Sequence, residues 1–125
     1  MLETEKSKQM IEKFEDFNVW KESVDLSVML YKLLKDCKDF AFRDQIQRSS
    51  VSIPSNIAEG FERTNKEFIR FLSISKGSCA ELRTQIIIAR EIELINKNEA
   101  DIIIEKTKKI SAMLAKLIST RQNKF

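Results

Sequence analysis

The segment from Gln45 to Gly60, QIQRSSVSIPSNIAEG, constrains the fold more than any other part of the chain. Its apolar residues keep helical spacing, and they are Ile46, Ile53, Ile57 and the following Phe61. It also holds small polar residues and a proline, which are Ser49, Ser50, Ser52, Pro54, Ser55 and Asn56. Serine and asparagine side chains compete for the backbone partners of a helix, and proline removes one backbone donor. The segment therefore predicts a helix that depends on support from its neighbours.

Pro54 leaves two interpretations open. In one, Pro54 begins a separate helix and the serines before it form a loop. In the other, a single kinked helix runs through Pro54 and packs closely against its neighbours through its small residues. We favour the single helix, because the apolar spacing continues across Pro54. Serine or asparagine side chains would then bind the carbonyl groups that the proline leaves without a partner.

Glycine and proline are too scarce to interrupt the chain often, since only two glycines and one proline occur in 125 residues. This composition favours long helices over a many-stranded β fold. Apolar spacing predicts four helices in one domain, at about 19–37, 43–62, 66–94 and from Asn98 onward. The expected N-caps are Asn18 for the first helix, Thr64 or Asn65 for the third and Asn98 for the fourth.

The first helix has an unusually wide apolar face, which covers about half of its circumference. A bundle helix needs an apolar stripe of little more than about 100°. The wide face therefore favours a second set of neighbours and oligomerisation, although a well-covered helix in a monomer would show the same pattern. We interpret Trp20 and Tyr31 as core or interface anchors. Residues 38–42 form the expected connection to the second helix, with Phe40 and Phe42 closing one end of the bundle.

The third predicted helix carries an apolar seam at spacings of three and four. The seam consists of Phe68, Leu72, Ser75, Cys79, Leu82 and Ile86, widened by Phe71, Ile74, Ser78, Ala89 and Ile92. Gly77 and Ser78 interrupt this helix at a cost of about 1 kcal/mol in helix propensity. We expect them to permit the close approach of the second helix, in preference to a ligand at the backbone. The fourth helix turns Ile103, Thr107, Ile110, Leu114 and Leu117 inward.

Charge and reactive residues narrow the classes of function. The formal net charge is +3, but residues 1–64 carry −2 and residues 65–125 carry +5, so an anionic partner is expected on the second half. Histidine is absent, which removes the commonest general base and metal ligand. Cys37 and Cys79 lack ligand spacing and are expected to be reduced, buried thiols. Neither a membrane-spanning run nor a signal-peptide pattern is evident, so we expect a cytoplasmic protein that does not contact membranes.

A candidate polar network comprises Arg48, Asn56, Glu59 and Glu81. Arg48 and Glu81 lie on helices that we expect to touch, so a structural Arg–carboxylate pair is favoured. Two carboxylates acting as acid and base, or holding a metal, are the alternative. We predict that Glu81→Ala damages assembly or stability.

Two basic clusters are candidate contacts for nucleic acid. Lys76, Arg83 and Arg90 recur every seven residues and form one stripe on the third helix. Arg63, Lys66 and Arg70 share one face if they are helical. Either cluster would hold phosphates without reading sequence, or would be a solvated rim paired with acidic residues. Aromatic residues suited to stacking on bases are not interleaved with them.

Several short strings connect the chain with a known family. They are Arg48, Ser52-Ile53-Pro54, Asn56-Ile57-Ala58-Glu59-Gly60, Gly77-Ser78 and Glu81-Leu82. In these strings, and from Phe14 to Arg121, the chain resembles the four-helix-bundle proteins encoded within intervening sequences of bacterial 23S ribosomal RNA genes. The resemblance implies an up-and-down bundle that assembles as a homopentamer. A related branch, the accessory proteins of diversity-generating retroelements, binds nucleic acid and a reverse transcriptase.

We therefore predict an all-α, antiparallel up-and-down four-helix bundle spanning 14–121. Residues 1–13 are expected to form a tail or helix extension, and 122–125 a C-terminal tail. The predicted function is that of a non-enzymatic oligomeric protein that binds ribosomal RNA or another nucleic acid, without a cofactor, a metal or catalytic residues. The alternative is a protein-binding adaptor, for example for a reverse transcriptase. A carboxylate-based enzyme is a third possibility.

Overall fold

The chain forms four consecutive α-helices, as a computed structural model that describes residues 11–125 shows. The helices are α1 (Asn18–Leu33), α2 (Phe40–Phe61), α3 (Asn65–Glu91) and α4 (Lys97–Lys124), and a single 3-10 turn at Phe14–Asp16 precedes them. Each helix packs against the next along the chain, and α1 also contacts α4, which closes the bundle. The predicted all-α four-helix fold is confirmed.

The core follows the predicted periodicity. All six residues of the α3 seam are buried, with Phe68 at 1% exposure and Leu72 at 0%. On α4, the residues Ile103, Thr107, Ile110 and Leu114 are buried opposite them. Burial of these stripes stabilises helices whose individual propensities are moderate.

Helix α2 runs without a break through Pro54, so the single-helix interpretation is correct. The buried Ser50 shares a 3.0 Å hydrogen bond with Ser27 of α1. Ser75 Oγ of α3 donates to the Ile53 carbonyl at 2.9 Å, and Asn56 Nδ2 donates to the Ser52 carbonyl at 2.8 Å. Side-chain donors do bind carbonyls near the proline, as expected. They reach the carbonyls of residues 52 and 53 rather than that of Ser50, four residues before Pro54.

The helix ends require several corrections. Thr64 caps α3 as predicted, accepting from the Glu67 amide at 3.2 Å. Asn96, not Asn98, caps α4 and accepts from the amides of Asn98 and Glu99. Phe17 occupies the N-cap position of α1, so Asn18 is already helical.

The connection between α1 and α2 also differs from the prediction. Asp39 caps α2 through the Phe42 amide at 3.2 Å, so the helix begins within the expected loop. Phe40 is therefore a first-turn residue and is 59% exposed, so it does not close the bundle. Phe42 is partly buried against the core, as expected.

The two glycines of the chain differ in their surroundings, and Gly77 does not play the part predicted for it. A Cβ added at Gly77 would meet nothing within 4 Å, so the close approach expected there within the chain is wrong. Ser78 does contact α2, through a 3.0 Å bond between its hydroxyl and that of Ser52. The close approach occurs instead at the buried Gly60, which packs against Phe71.

Helix α4 continues past the expected boundary at Arg121 and ends at Lys124. Arg121 Nη1 donates to Asn65 Oδ1 at 3.2 Å, while Asn65 Nδ2 donates to the Arg121 carbonyl at 3.1 Å. The predicted N-terminal tail lies largely outside the residues that the structure describes. Between residues 11 and 125, no helix combines the length and the apolar character needed to cross a membrane.

Candidate nucleic-acid interface

The six cations predicted to bind nucleic acid differ in their surroundings, and two of them are held by carboxylates. Arg63 donates to Glu59 Oε2 at 3.0 Å and to Glu67 Oε2 at 3.3 Å. Arg63 lies in the turn between α2 and α3, so it reaches back to the last turn of α2 and forward to the first turn of α3. Arg63 is therefore largely neutralised and is a poor phosphate ligand as it stands.

Arg90 is also paired. Its Nη1 lies 2.8 Å from Asp101 Oδ1 of α4, and its Nε lies 3.1 Å from Glu91 Oε2. The hydrogen bonds to Asp101 and Glu91 raise the pKa of the Arg90 guanidinium. Hydrogen bonds from Lys97 and Arg90 hold the pKa of Asp101 below its ordinary value. This end of the predicted stripe links α3 to α4.

Arg83 is half-buried and also serves to join helices. Its Nε donates to Thr107 Oγ1 at 3.0 Å, and its Nη2 reaches the Thr107 carbonyl at 3.4 Å. Cys79 Sγ donates to the same carbonyl at 3.1 Å. Burial raises the pKa of the Cys79 thiol, and the nearby Arg83 charge opposes that rise. Cys79 is buried as predicted, whereas Cys37 is only partly buried.

The remaining three predicted cations, Lys66, Arg70 and Lys76, are exposed on the first half of α3. Among residues 11–125, no carboxylate lies within ion-pair distance of any of them. The Arg70 guanidinium carbon lies 4.7 Å from the centre of the Phe71 ring. Stacking on an aromatic face orients a guanidinium while its edge donors stay free.

The predicted polar network is not brought together within one chain. Arg48 and Glu81 are both exposed, and neither has an ion-pair partner in the described part of the chain. Glu59 binds Arg63 instead, and Asn56 binds Ser52. The α2–α3 contact is filled by small side chains such as Ser52 and Ser78, which leave the long charged ones outside. The role of Arg48 and Glu81 in assembly stays a prediction.

The positive excess of the second half persists when the ion-paired side chains are set aside. In residues 65–125, the acidic side chains that form no ion pair with a described residue are Glu81, Glu93 and Glu99. The corresponding cations are more numerous, and they are Lys66, Arg70, Lys76, Arg83, Lys106, Lys116, Arg121 and Lys124. The surface of α3 and α4 is therefore electropositive.

Sequence reasoning missed one property of α3. Ile74 and Ile92 were expected to widen its core seam, yet they are 41% and 56% exposed, and Ile88 is 46% exposed. Ile92 follows Ile74 by 18 residues, which is five helical turns, and Ile88 lies about one turn before Ile92, so the three share one side of the helix. These isoleucines lie on a different side of α3 from the buried seam, and a helical-wheel plot of the sequence would have shown the difference.

Comparisons with known proteins agree with this fold. A comparison with curated proteins finds no match. One similar solved structure is a crystal structure of a protein with unknown function from the S23 ribosomal protein family of Bacteroides thetaiotaomicron VPI-5482. It has a TM-score of 0.75 and 27% sequence identity, and the match covers 80% of this chain and 97% of that one. A family model for the 23S rRNA-intervening sequence protein matches residues 15–116. The chain belongs to the 23S rRNA-intervening sequence protein family.

Proposed function

We propose that this chain is a non-enzymatic protein that assembles with copies of itself and binds the phosphate backbone of nucleic acid. The observation that carries the proposal is the set of exposed α3 cations, Lys66, Arg70 and Lys76, which lack carboxylate partners among residues 11–125. Ribosomal RNA is the first candidate partner, because the family takes its name from the 23S rRNA intervening sequence. The proposed site of action is the cytoplasm.

The electrostatics favour an anionic partner over an enzymatic substrate. A cation already bound by a carboxylate gains little from a phosphate, whereas an unpaired surface cation releases counterions when a phosphate binds. Lys66 lies in the first turn of α3, where the helix dipole adds positive potential. Because the three cations lie on one rigid helix, they can bind neighbouring phosphates together. The chain has no histidine, so the commonest general acid or base is not available beside them.

The proposed contact does not read base sequence. Phe71, the aromatic residue beside Arg70, is 7% exposed and is covered by protein. A base therefore has no aromatic platform at this surface, and the contacts fall on the phosphate backbone. Structured RNA and duplex DNA should both bind, with preferences set by shape rather than by sequence.

A filter-binding titration at two salt concentrations tests the proposal. With three phosphate contacts in each chain, raising salt from 50 to 200 mM should weaken binding by roughly 20- to 40-fold. The probes are a structured RNA and a DNA duplex of matched length. Absence of binding to both probes at 50 mM salt would remove the proposal, and binding that is insensitive to salt would assign the contact to an apolar surface.

Self-assembly is proposed from the exposed isoleucines of α3, because grouped apolar side chains at a surface commonly mark a protein interface. The family resemblance implies a homopentamer, which light scattering on the eluting protein would detect as a mass of five chains. A monomer at working concentration would overturn self-assembly. The same isoleucines would then favour the adaptor alternative, in which a protein such as a reverse transcriptase covers them.

A further inference from the structure

A buried polar atom on α3 lacks a partner. Gln85 is 8% exposed, and its Oε1 has no hydrogen-bond donor among residues 11–125. Leaving a buried acceptor unsatisfied costs about 1–3 kcal/mol, and native structures keep few such atoms. Gln85 follows Glu81 by one helical turn, so the unsatisfied acceptor lies beside the exposed side of α3.

The exposed side of α3 next to Gln85 forms a ridge, which we define by Ile74, Gly77, Glu81 and Ile88. Ile74, Glu81 and Ile88 recur every seven residues and so share one line on the helix. The two isoleucines are 41% and 46% exposed. A Cβ at Gly77 would meet open space, so another molecule can approach the helix backbone there. The α3 ridge is thus apolar at both ends with a carboxylate between.

A groove of complementary character lies between α1 and α2. This α1–α2 groove is lined by Tyr31, Arg48 and Val51, and also by Asp44, Gln47 and Ser52. The Asp44 carboxylate is already paired with Arg43 at 3.3 Å. Tyr31 is 47% exposed and Val51 is 39% exposed. Arg48 has no carboxylate within ion-pair distance in the described chain. The groove therefore combines apolar side chains with an unpaired cation, where the ridge combines apolar side chains with an unpaired carboxylate.

The register between α2 and α3 places Arg48 and Glu81 at a similar height along the bundle axis. Ser52 of α2 meets Ser78 of α3 at 3.0 Å. Arg48 lies one turn before Ser52, and Glu81 lies nearly one turn after Ser78. Because the helices are antiparallel, both steps lead in the same direction along the bundle. Copies lying side by side at the same height can therefore bring Arg48 of one opposite Glu81 of the next.

We propose that the α3 ridge of one copy docks in the α1–α2 groove of the next copy, with Glu81 paired to Arg48 across the interface. The inference rests on the proposed self-assembly and names its surface. Each copy carries both halves of the contact, so the contact is head-to-tail and closes into a ring when the rotation between copies allows. The second copy covers the isoleucines and the surface beside Gln85. Lys76 lies about 140° around α3 from Glu81 and stays outside the contact.

Charge exchange tests the pairing. Arg48→Glu makes both the groove and the ridge acidic, and Glu81→Arg makes both basic. Each variant alone should self-associate at least about 100-fold more weakly than the wild-type chain, because like charges then face each other. The double variant Arg48→Glu/Glu81→Arg should assemble again, since every groove then finds a ridge of opposite charge whatever the number of copies in the ring. Sedimentation velocity over a range of concentrations measures all three samples.

Control variants separate the surface from a general effect of charge. Lys116→Glu and Glu99→Arg make the same charge changes at exposed positions outside the contact and should assemble like the wild type. Ile88→Ser, a change at an exposed site that leaves the core intact, should weaken association by at least about 10-fold. Circular dichroism confirms that each variant is folded.

The possible failures are distinguishable. A wild-type chain that is monomeric overturns self-assembly together with this surface, while nucleic-acid binding is judged separately by the salt titration. An assembled wild type whose Arg48, Glu81 and Ile88 variants assemble equally well overturns only this surface. Dissociated single variants whose double variant, Arg48→Glu/Glu81→Arg, also stays dissociated overturn the Arg48–Glu81 pairing.

Discussion

Gly60 of α2 and Phe71 of α3 pack so closely that a methyl group on Gly60 would overlap the Phe71 Cβ. The added carbon would also lie 3.0 Å from Phe71 Cγ and 3.2 Å from Phe68 Cδ1. The Phe71 Cβ is bonded directly to the α3 backbone, so no side-chain rotation can move it away. The glycine therefore sets how closely α2 and α3 approach near the turn that joins them, and it seats the ring on which Arg63 and Arg70 stack.

Gly60→Ala should destabilise the fold for this reason. Overpacking costs about 1–3 kcal/mol and the gain in helix propensity returns up to about 1 kcal/mol, so we expect a net loss of about 1–2 kcal/mol. Urea unfolding measures this change in the free energy of unfolding. Gly77→Ala is the matched control, because open space surrounds that glycine. At concentrations at which the chain is monomeric, Gly77→Ala should raise the free energy of unfolding by up to about 1 kcal/mol. Equal effects of the two changes would contradict the assigned packing.

Ser75→Ala removes a buried hydrogen bond between helices, since Ser75 Oγ donates to the Ile53 carbonyl at 2.9 Å. We expect the free energy of unfolding to fall by about 1 kcal/mol or somewhat more, because the carbonyl stays buried without this donor. Ser73→Ala serves as the control, as the exposed Ser73 hydroxyl only binds the Ile69 carbonyl of its own helix. Its change should lie within about 0.5 kcal/mol of zero.

Arg121 anchors the last turns of α4 on a group of aromatic rings. Its guanidinium carbon lies 4.9 Å from the centre of Phe68 and 4.1 Å from that of Phe125. Burial lowers the pKa of Arg121, as expected for a cation held away from water. Arg121→Ala should cost about 2 kcal/mol, and Arg121→Lys should restore only part of it because an ammonium lacks the planar face. Thermal unfolding of the three proteins checks the order, and a lysine variant as stable as the wild type would contradict the stacking.

The Asp101 cluster gives stability a dependence on pH. Hydrogen bonds from Lys97 and Arg90 hold the pKa of Asp101 below 3.8 in the folded chain. A carboxylate with a lowered folded pKa stabilises the fold above its unfolded pKa, and this contribution disappears as pH falls through the folded pKa. The wild type should therefore be more stable than Asp101→Asn at pH 7, and the difference should begin to shrink near pH 4 and vanish only below the folded pKa of Asp101. A difference in melting temperature that stays constant from pH 7 down to pH 2 would contradict the assigned pairing.

The helices and the core were predictable because they depend on spacing along the chain. Phe68, Leu72 and Leu82 follow from periodicity alone, and Thr64 was identified as a cap from its position before Glu67. The choice between Asn96 and Asn98 could not be made in this way, because both residues have the same capping chemistry. Both glycines lie in helices, and only the packing geometry shows that Gly60 and not Gly77 meets a neighbour.

The candidate site was predictable in part. Glu59 and Glu67 flank Arg63 closely in the sequence, on either side of the turn that joins α2 and α3, and were candidate partners for that reason. Arg83 and Arg90, by contrast, are bound by Thr107 and Asp101 of α4, and those contacts depend on the register between two helices. The seven-residue period identified the stripe, but it did not indicate which of the three cations are already bound by other side chains of the chain.

The most direct test of the account compares two triple variants in nucleic-acid binding over a range of salt. Lys66→Gln/Arg70→Gln/Lys76→Gln removes the unpaired cations of α3, whereas Lys97→Gln/Lys108→Gln/Lys109→Gln removes the same charge from lysines that already bind carboxylates. For each contacting chain, the first set should lower the slope of log affinity against log salt by roughly 2 to 3. The second set should leave the slope close to that of the wild type. Equal losses in both sets, or a first set that binds like the wild type, would contradict the assignment of this surface.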